Sequence, residues 1–224
     1  MRVLLRHPLQ ALLLILLGPV LLPPPVGAES QDPLLGPQVP PRTIPQQVTV
    51  AAVLPPGVAA SLAGPGGGPV GASAAPRLAY PLARPAESMD PWGWRYSERR
   101  GAWRMHTGVD LAADQGTPVL AALAGRVVLL EPISGYGTTV LLDHGNGWQT
   151  LYAHLHDTAV APGQALEQGQ PLGTVGMTGQ TSGPHLHFEL RRQGSDLLAL
   201  DPTPHLPPLL PPPSLPPVLA TVAP

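Results

Sequence analysis

Two histidines lie two positions apart at residues 185–190, where the sequence runs His-Leu-His-Phe-Glu-Leu. Side chains alternate between the two faces of a β-strand, so a strand here would place His185, His187 and Glu189 on one face and the apolar side chains on the other. Histidines at this spacing stand about 7 Å apart at the backbone, so one can bind a metal ion while the other lies beside it. The alternative is a pair of satisfied polar residues on an exposed sheet face.

A second pair of potential metal ligands, His106 and Asp110, is separated by four positions. In a straight strand they would be about 13 Å apart, too far to share an ion. Gly108 lies between them and permits a bend. A catalytic zinc site typically has three protein ligands and one open position, and His106, Asp110 and either His185 or His187 would supply three. Alone, the spacing of His106 and Asp110 also fits a turn with a capping aspartate.

His154 is a third candidate. Alternation along a strand places it on the same face as Tyr152, away from Ala153, and a lone histidine at such a position is more often structural. Amide hydrolysis at a metal also needs a group that accepts a proton, and the chain lacks the His-Glu-x-x-His motif that supplies a glutamate for this role. Neutral imidazoles of His154 and His185 are candidates instead.

The elements that would position these residues are predicted to be short strands. Gly and Pro interrupt the chain at close intervals, and no segment shows a sustained helical period. An Asn-Gly pair at 146–147 supplies the positive φ angles of a tight hairpin turn. We therefore predict an all-β fold, a small antiparallel sheet or sandwich of two packed sheets with a zinc-containing groove. The predicted strands are 118–123, 126–131, 138–143, 148–155, 171–175 and 185–191.

Composition confines the folded part to the middle of the 224-residue chain. The four Trp, four Tyr and single Phe all lie between Tyr80 and Phe188, and large apolar groups of this kind build a core. Only ten of the 33 prolines lie within 78–205; the others disfavour regular structure in the flanks. We predict a folded domain at 78–205, a Pro/Gly-rich disordered linker at 29–77 and a Pro-rich disordered tail at 206–224.

Residues 1–28 have the features of a signal peptide. Two arginines precede an apolar run at 9–22, and the small residues at 26–28 suit a cleavage site. The run is interrupted by Pro19 and is shorter than the roughly 20 residues of a membrane span. We therefore expect an exported protein, periplasmic or in the cell wall or medium, with no integral membrane span in its mature form. An uncleaved anchor is the alternative.

Charge and cysteine content exclude several classes. The formal net charge is −2 and all twelve cationic residues are scattered arginines, so no nucleic-acid partner is expected. The absence of Cys rules out disulfides, thiolate zinc ligands and a cysteine nucleophile. Nothing in the sequence assigns an oligomeric state.

Several blocks of sequence together carry a family resemblance. They are His106-Thr107-Gly108-Val109-Asp110, Gly116-Thr117-Pro118-Val119, Asp143-His144-Gly145-Asn146-Gly147, Tyr152-Ala153-His154-Leu155 and Ser182-Gly183-Pro184-His185-Leu186-His187-Phe188-Glu189. In this order and spacing they resemble the lysostaphin/LytM-type zinc metallopeptidases, over about 78–205. Because independent blocks agree, the resemblance is specific.

The resemblance implies a small antiparallel β fold whose groove holds one Zn²⁺ through His106, Asp110 and His187, with His154 and His185 as the catalytic imidazoles. It also implies a substrate, the peptide part of bacterial peptidoglycan, cut at cross-links or stem peptides during wall remodelling or division. Some proteins with this domain have lost metal ligands and only activate wall amidases. All five residues are present here, which favours the enzyme; the alternative is a non-catalytic wall-binding or amidase-activating module.

Overall fold

A computed structural model describes residues 43–50 and 75–208 of the protein. Two 3₁₀ turns, Glu98–Arg100 and Thr203–His205, lie in this part of the chain. Within the same ranges, no helix has the length and apolar character needed to cross a membrane. The strands are β1 (Gln47–Thr49), β2 (Ser88–Asp90), β3 (Gly93–Ser97), β4 (Ala102–His106), β5 (Val109–Ala112), β6 (Pro118–Leu120), β7 (Gly125–Ile133), β8 (Gly137–Asp143), β9 (Trp148–Ala153), β10 (Leu155–Thr158), β11 (Ala165–Leu166), β12 (Pro171–Val175), β13 (His185–Gln193) and β14 (Leu197–Leu200).

Strand β13 is the centre of the largest sheet. It pairs with β9 along one edge and with β5 and then β14 along the other, always antiparallel. Beyond these neighbours the sheet continues through β8, β7 and β11 on one side, and through β2 and β1 on the other. A second sheet contains β10, β12 and β6, and β3 pairs with β4 in a separate ribbon. The all-β antiparallel fold predicted from the sequence is confirmed.

The main core lies between the large sheet and the second sheet, because the apolar side chains of both sheets are buried in one cluster. On β13 the alternation is as predicted: Leu186, Phe188 and Leu190 are fully buried in this core, which leaves the face of His185 and His187 for the groove. From the second sheet, Val119 and Leu172 pack into the same cluster.

The predicted hairpin is also present. Strands β8 and β9 pair antiparallel, and Asn146 between them has a φ of 51°. Strand β12 has the predicted bounds. The single strand predicted at 148–155 is wrong, however, because His154 adopts a φ of 61° and divides it into β9 and β10.

Residues 43–50, inside the predicted linker, contact the ribbon and the edge of the sheet. Strand β1 pairs with β14, the indole N–H of Trp92 donates to the Pro45 carbonyl at 2.7 Å, and that of Trp94 donates to the Thr43 carbonyl at 3.1 Å. The prediction of a disordered linker therefore does not hold for this stretch. The predicted signal peptide at 1–28 and most of the predicted tail lie outside the described residues.

Candidate metal centre

The three predicted metal ligands meet where β4, β5 and β13 come together. Asp110 and His187 are direct cross-strand partners, and His106 is the last residue of β4. Oδ1 of Asp110 lies 2.7 Å from Nδ1 of His187 and 3.1 Å from Nε2 of His106. The two imidazole nitrogens are 3.2 Å apart. One ligand atom from each residue lies within 4.8 Å of the others, so the three could hold a metal ion together.

Gly108 allows the chain between β4 and β5 to lie close to β13. It lies between β4 and β5, which belong to different sheets, so the chain bends as the sequence predicts. A Cβ at Gly108 would lie 2.5 Å from the Phe188 carbonyl oxygen and 2.9 Å from Cε1 of His187. Because its φ is not in the left-handed region, the glycine is needed for space against β13.

Hydrogen bonds to the far side of each ligand ring determine its tautomer. Nδ1 of His106 lies 2.9 Å from the carbonyl oxygen of Pro91, and Nε2 of His187 lies 2.9 Å from Oε1 of Glu189. These oxygens can only accept, so both of these nitrogens carry the proton. When the two rings are neutral, the nitrogens that face Asp110 therefore present lone pairs. Two lone pairs and a carboxylate oxygen converge on one point, an arrangement that a cation satisfies.

The ionisation of the cluster agrees with this interpretation. Burial by itself would raise the pKa of Asp110, but the hydrogen bonds from His106 and His187 outweigh it and hold that pKa well below its usual range. Burial also opposes a charge on His187, yet Asp110 and Glu189 raise the pKa of His187 to about 9. Without a metal ion, His187 is therefore protonated, and the proton on its Nδ1 lies where the lone pairs would otherwise converge.

Glu189 holds the ring of His187 from inside the protein. It has no exposed surface, and its Oε1 accepts hydrogen bonds from Nε2 of His187 at 2.9 Å and from the hydroxyls of Thr107 and Tyr136, each at 2.8 Å. Its Oε2 accepts from Nε of Arg191 at 2.6 Å. Burial alone would raise the pKa of Glu189, but Arg191 and His187 lower it by more than burial raises it, so the carboxylate stays ionised.

His154 and His185 lie together beside this group of three residues, with ring centroids 4.6 Å apart. Nδ1 of His154 lies 2.7 Å from the Thr178 carbonyl oxygen, and Nδ1 of His185 lies 2.8 Å from that of Gly183. Since a carbonyl only accepts, Nδ1 carries the proton in both rings and Nε2 is the lone-pair nitrogen when the ring is neutral. Nε2 of His185 is 3.7 Å from Oδ1 of Asp110.

The predicted face of His154 is wrong. Tyr152 points into the core, where its ring lies 5.3 Å from that of Phe188, and Ala153 is the cross-strand partner of His187. Regular alternation would turn His154 to the same face as Tyr152 and away from the predicted metal ligands. The left-handed conformation of His154, with φ 61°, redirects its side chain, and its ring lies 6.0 Å from that of His187.

Burial also affects the protonation of His154. The side chain is buried, and this desolvation lowers its pKa to about 4, although the hydrogen bond to the Thr178 carbonyl opposes the shift. The ring is therefore neutral at physiological pH and can accept a proton at Nε2.

Two cavities flank the cluster. One of about 440 Å³ is bordered by His106, His154 and His187, and a second of about 240 Å³ is bordered by Asp110 and His185. Together the two cavities border all five residues, so the cluster is accessible to a ligand from both.

Two further histidines do not belong to this cluster. His144 bridges the Ala124 carbonyl and the Thr150 hydroxyl, both at 2.8 Å, and His156 is exposed. Sequence analysis missed Tyr136 and Thr107 as partners of Glu189. No spacing on the strands points to Tyr136, since its position depends on the turn between β7 and β8.

Comparison with known proteins agrees with this geometry. Residues 104–199 match the model described as Peptidase family M23. The chain therefore contains a peptidase M23 domain of the LytM/lysostaphin type, as the resemblance predicted.

Individual relatives differ in their described activities. The chain is 43% identical to the DD-carboxypeptidase/endopeptidase Mpg of Neisseria meningitidis serogroup B over 119 residues, which are 52% of this chain and 27% of Mpg. It is 38% identical to the murein hydrolase activator EnvC of Escherichia coli over 112 residues, 50% of this chain and 26% of EnvC. The solved catalytic domain of lysostaphin from Staphylococcus simulans is 31% identical with a TM-score of 0.47, covering 52% of this chain and 90% of that one. The chain thus spans about a quarter of the length of these curated relatives.

Proposed function

We propose that this protein is an exported zinc metalloendopeptidase that hydrolyses peptide bonds in bacterial peptidoglycan, at cross-links or stem peptides. The observation that carries the proposal is the convergence of three lone-pair donors beside two further imidazoles whose Nε2 atoms are unprotonated in the neutral ring. Such a set combines a metal-binding group with proton acceptors, which is what metal-assisted amide hydrolysis requires.

One Zn²⁺ per domain would be held by His106, Asp110 and His187. Two imidazole nitrogens and one carboxylate oxygen form a ligand set typical of catalytic zinc, with a further position left open. Bound there, zinc would act as a Lewis acid on the peptide carbonyl and would lower the pKa of a water molecule toward about 7. Glu189 fixes the tautomer of His187 and keeps Nδ1 directed at Asp110.

His154 and His185 are the proposed catalytic residues. The neutral ring of His154 accepts the proton of the attacking water at Nε2 and returns it to the leaving amine nitrogen. Its Nδ1–H remains on the Thr178 carbonyl throughout, so the ring keeps its orientation. His185 lies against the same ring at 4.6 Å, and its Nε2 lone pair accepts a hydrogen bond from the attacking water and helps to orient it.

A wall-digestion experiment tests the proposal. Purified protein is incubated with peptidoglycan sacculi, and we expect soluble muropeptides to be released, with release stopping on addition of a zinc chelator and returning with zinc. His106→Ala should abolish release. Mass spectrometry of the fragments identifies the bond that is cut.

The alternative is a non-catalytic module that binds the wall or activates an amidase. Similarity to EnvC, a protein named as a murein hydrolase activator, is the reason to test it. In that case the protein alone would release nothing from sacculi, and His106→Ala would bind sacculi as tightly as the unchanged protein does. Sacculi would be digested once a purified wall amidase is added.

Export is part of the same proposal. A signal peptide at 1–28 would bring the domain to the periplasm or cell wall, and the Pro-rich segments on both sides of 78–205 would act as spacers. Sequencing the N-terminus of protein recovered from the periplasm or medium tests this, since cleavage after Ala28 is expected and an intact N-terminus in the membrane fraction would contradict it.

A further inference from the structure

The larger cavity has an electropositive wall. Three arginines line it, Arg95 on β3, Arg100 on the 3₁₀ turn that joins β3 to β4, and Arg104 on β4. Among the described residues that line this cavity, none is Asp or Glu. Cationic groups grouped along one wall of a cleft attract anionic ligands.

Two of these arginines lie side by side next to the metal ligands. Arg95 and Arg104 are direct cross-strand partners in the ribbon, and alternation places both on the face of His106. The other face of the ribbon is aromatic, with the rings of Tyr96 and Trp103 in edge contact at 5.6 Å. Like charges directly opposite each other destabilise a strand pair, so this arrangement costs stability unless an anion faces it.

Of these three arginines, only Arg95 forms an ion pair with a carboxylate among the described residues. Asp90 contacts Nε of Arg95 at 2.9 Å and Nη2 at 2.8 Å, and Nη1 of Arg95 donates to the Trp94 carbonyl at 3.1 Å. Arg100 and Arg104 are exposed, and within the described part of the chain no carboxylate forms an ion pair with either. Two guanidinium groups are therefore available to a ligand in the groove.

We propose that Arg104, assisted by Arg100, binds a free carboxylate of the substrate peptide and so makes the domain selective for acidic peptides. This rests on the proposed peptidase function and specifies its substrate. The planar guanidinium matches a carboxylate through two parallel hydrogen bonds. Arg104 precedes His106 by two residues, about 7 Å along the strand, so the carboxylate lies roughly one or two residues from the scissile bond.

Two sources of the carboxylate have the same chemistry. It is either the α-carboxylate at the end of a peptide chain or the carboxylate of an internal residue whose other carboxylate forms the peptide bond. The experiment separates them with three synthetic cross-linked muropeptides. One keeps every carboxylate, the second is amidated only at the chain end, and the third is amidated only at the internal position.

Binding and hydrolysis are both measured, by calorimetry and by kcat/KM, for the unchanged protein, Arg104→Gln, Arg104→Lys and Arg77→Gln. We expect one of the two amidated peptides to bind the unchanged protein about 10- to 100-fold more weakly than the peptide that keeps every carboxylate. This is the effect of losing one charge-assisted hydrogen-bonded pair. Arg104→Gln should lose the same factor on the acidic peptide and nothing on the amide, while Arg104→Lys falls between. Arg77→Gln removes one exposed arginine outside the cavity and should match the unchanged protein.

The outcomes separate this inference from the peptidase proposal. Selective binding that depends on Arg104, without hydrolysis, supports the inference and refutes the peptidase. Hydrolysis with no preference between acid and amide, equal losses on both peptides in Arg104→Gln, or no binding of any peptide overturns the inference. Because Arg104 is exposed and faces the like charge of Arg95, Arg104→Lys should unfold at an unchanged temperature and Arg104→Gln at an equal or slightly higher one, which thermal melting checks.

Discussion

Nε2 of His187 donates to Oε1 of Glu189 across 2.9 Å, and Glu189 has no exposed surface. Because the proton at Nε2 is held by Glu189, Nδ1, which lies 2.7 Å from Oδ1 of Asp110, is the nitrogen that would give its lone pair to a metal ion. The orientation of a proposed metal ligand is thus set from inside the protein by a carboxylate that would not itself touch the metal.

Replacing Glu189 with Gln should weaken both metal binding and folding. The amide removes the negative charge that faces His187 and leaves Arg191, which is 1% exposed, without its buried partner. We expect zinc affinity to fall about 10- to 100-fold and the free energy of unfolding to fall by about 3–5 kcal/mol. Zinc titration and urea unfolding measure the two effects. Glu131→Gln, an exposed change on β7, is the control, and an unchanged zinc Kd in Glu189→Gln would contradict the role assigned to Glu189.

His154→Ala should separate catalysis from metal binding. The imidazole is proposed to move a proton and not to bind zinc, so activity on peptidoglycan should fall about 10²- to 10⁴-fold while the zinc content stays at one per chain. His156→Ala removes an exposed histidine two positions further on and should keep full activity. Loss of zinc from His154→Ala, or an equal loss of activity in His156→Ala, would show that the assignment is mistaken.

The stability of the metal-free protein should depend on the protonation of His154. Its pKa in the folded state is about 4, below the value of about 6.5 in an unfolded chain. Between these values the unfolded chain binds more protons, so the free energy of unfolding falls as the pH is lowered from about 6.5 toward 4, by at most about 1.4 kcal/mol per pH unit from this group. Urea unfolding at pH 6.5 and 5.0 should show a smaller loss in His154→Gln than in the unchanged protein. Equal losses would refute the assignment.

Gly108→Ala should disturb the site through its backbone. The added methyl group meets the Phe188 carbonyl and His187, so we expect a loss of about 1–3 kcal/mol in stability together with weaker zinc binding. Gly194→Ala is the matched control, because its nearest heavy atom would be 3.8 Å away. If both variants melt and bind zinc alike, the close approach of β13 at Gly108 is not what the structure indicates.

Much of the site could be predicted because it follows from local alternation. His185, His187 and Glu189 share a face on β13 while Phe188 is buried behind them, and a period of two in the sequence is enough to state this. The hairpin at Asn146 was equally predictable, since Asn-Gly turn chemistry is local.

What could not be predicted depends on tertiary contacts. The left-handed backbone of His154 is held by its hydrogen bond to Thr178 and by the break between two sheets, and neither leaves a periodic signal. Strand β1 is three residues long and exists through pairing with β14, which lies about 150 residues away in the sequence. Tyr136 reaches Glu189 from a different strand pair. Such long-range partners become visible only in the folded structure.

The central claim is that one zinc ion is bound jointly by His106, Asp110 and His187. Anomalous diffraction at the zinc edge from crystals grown with zinc tests it most directly. We predict one strong peak per chain, within about 2.0–2.2 Å of Nε2 of His106, Oδ1 of Asp110 and Nδ1 of His187. No peak there, or a peak bound by other residues, would contradict the account.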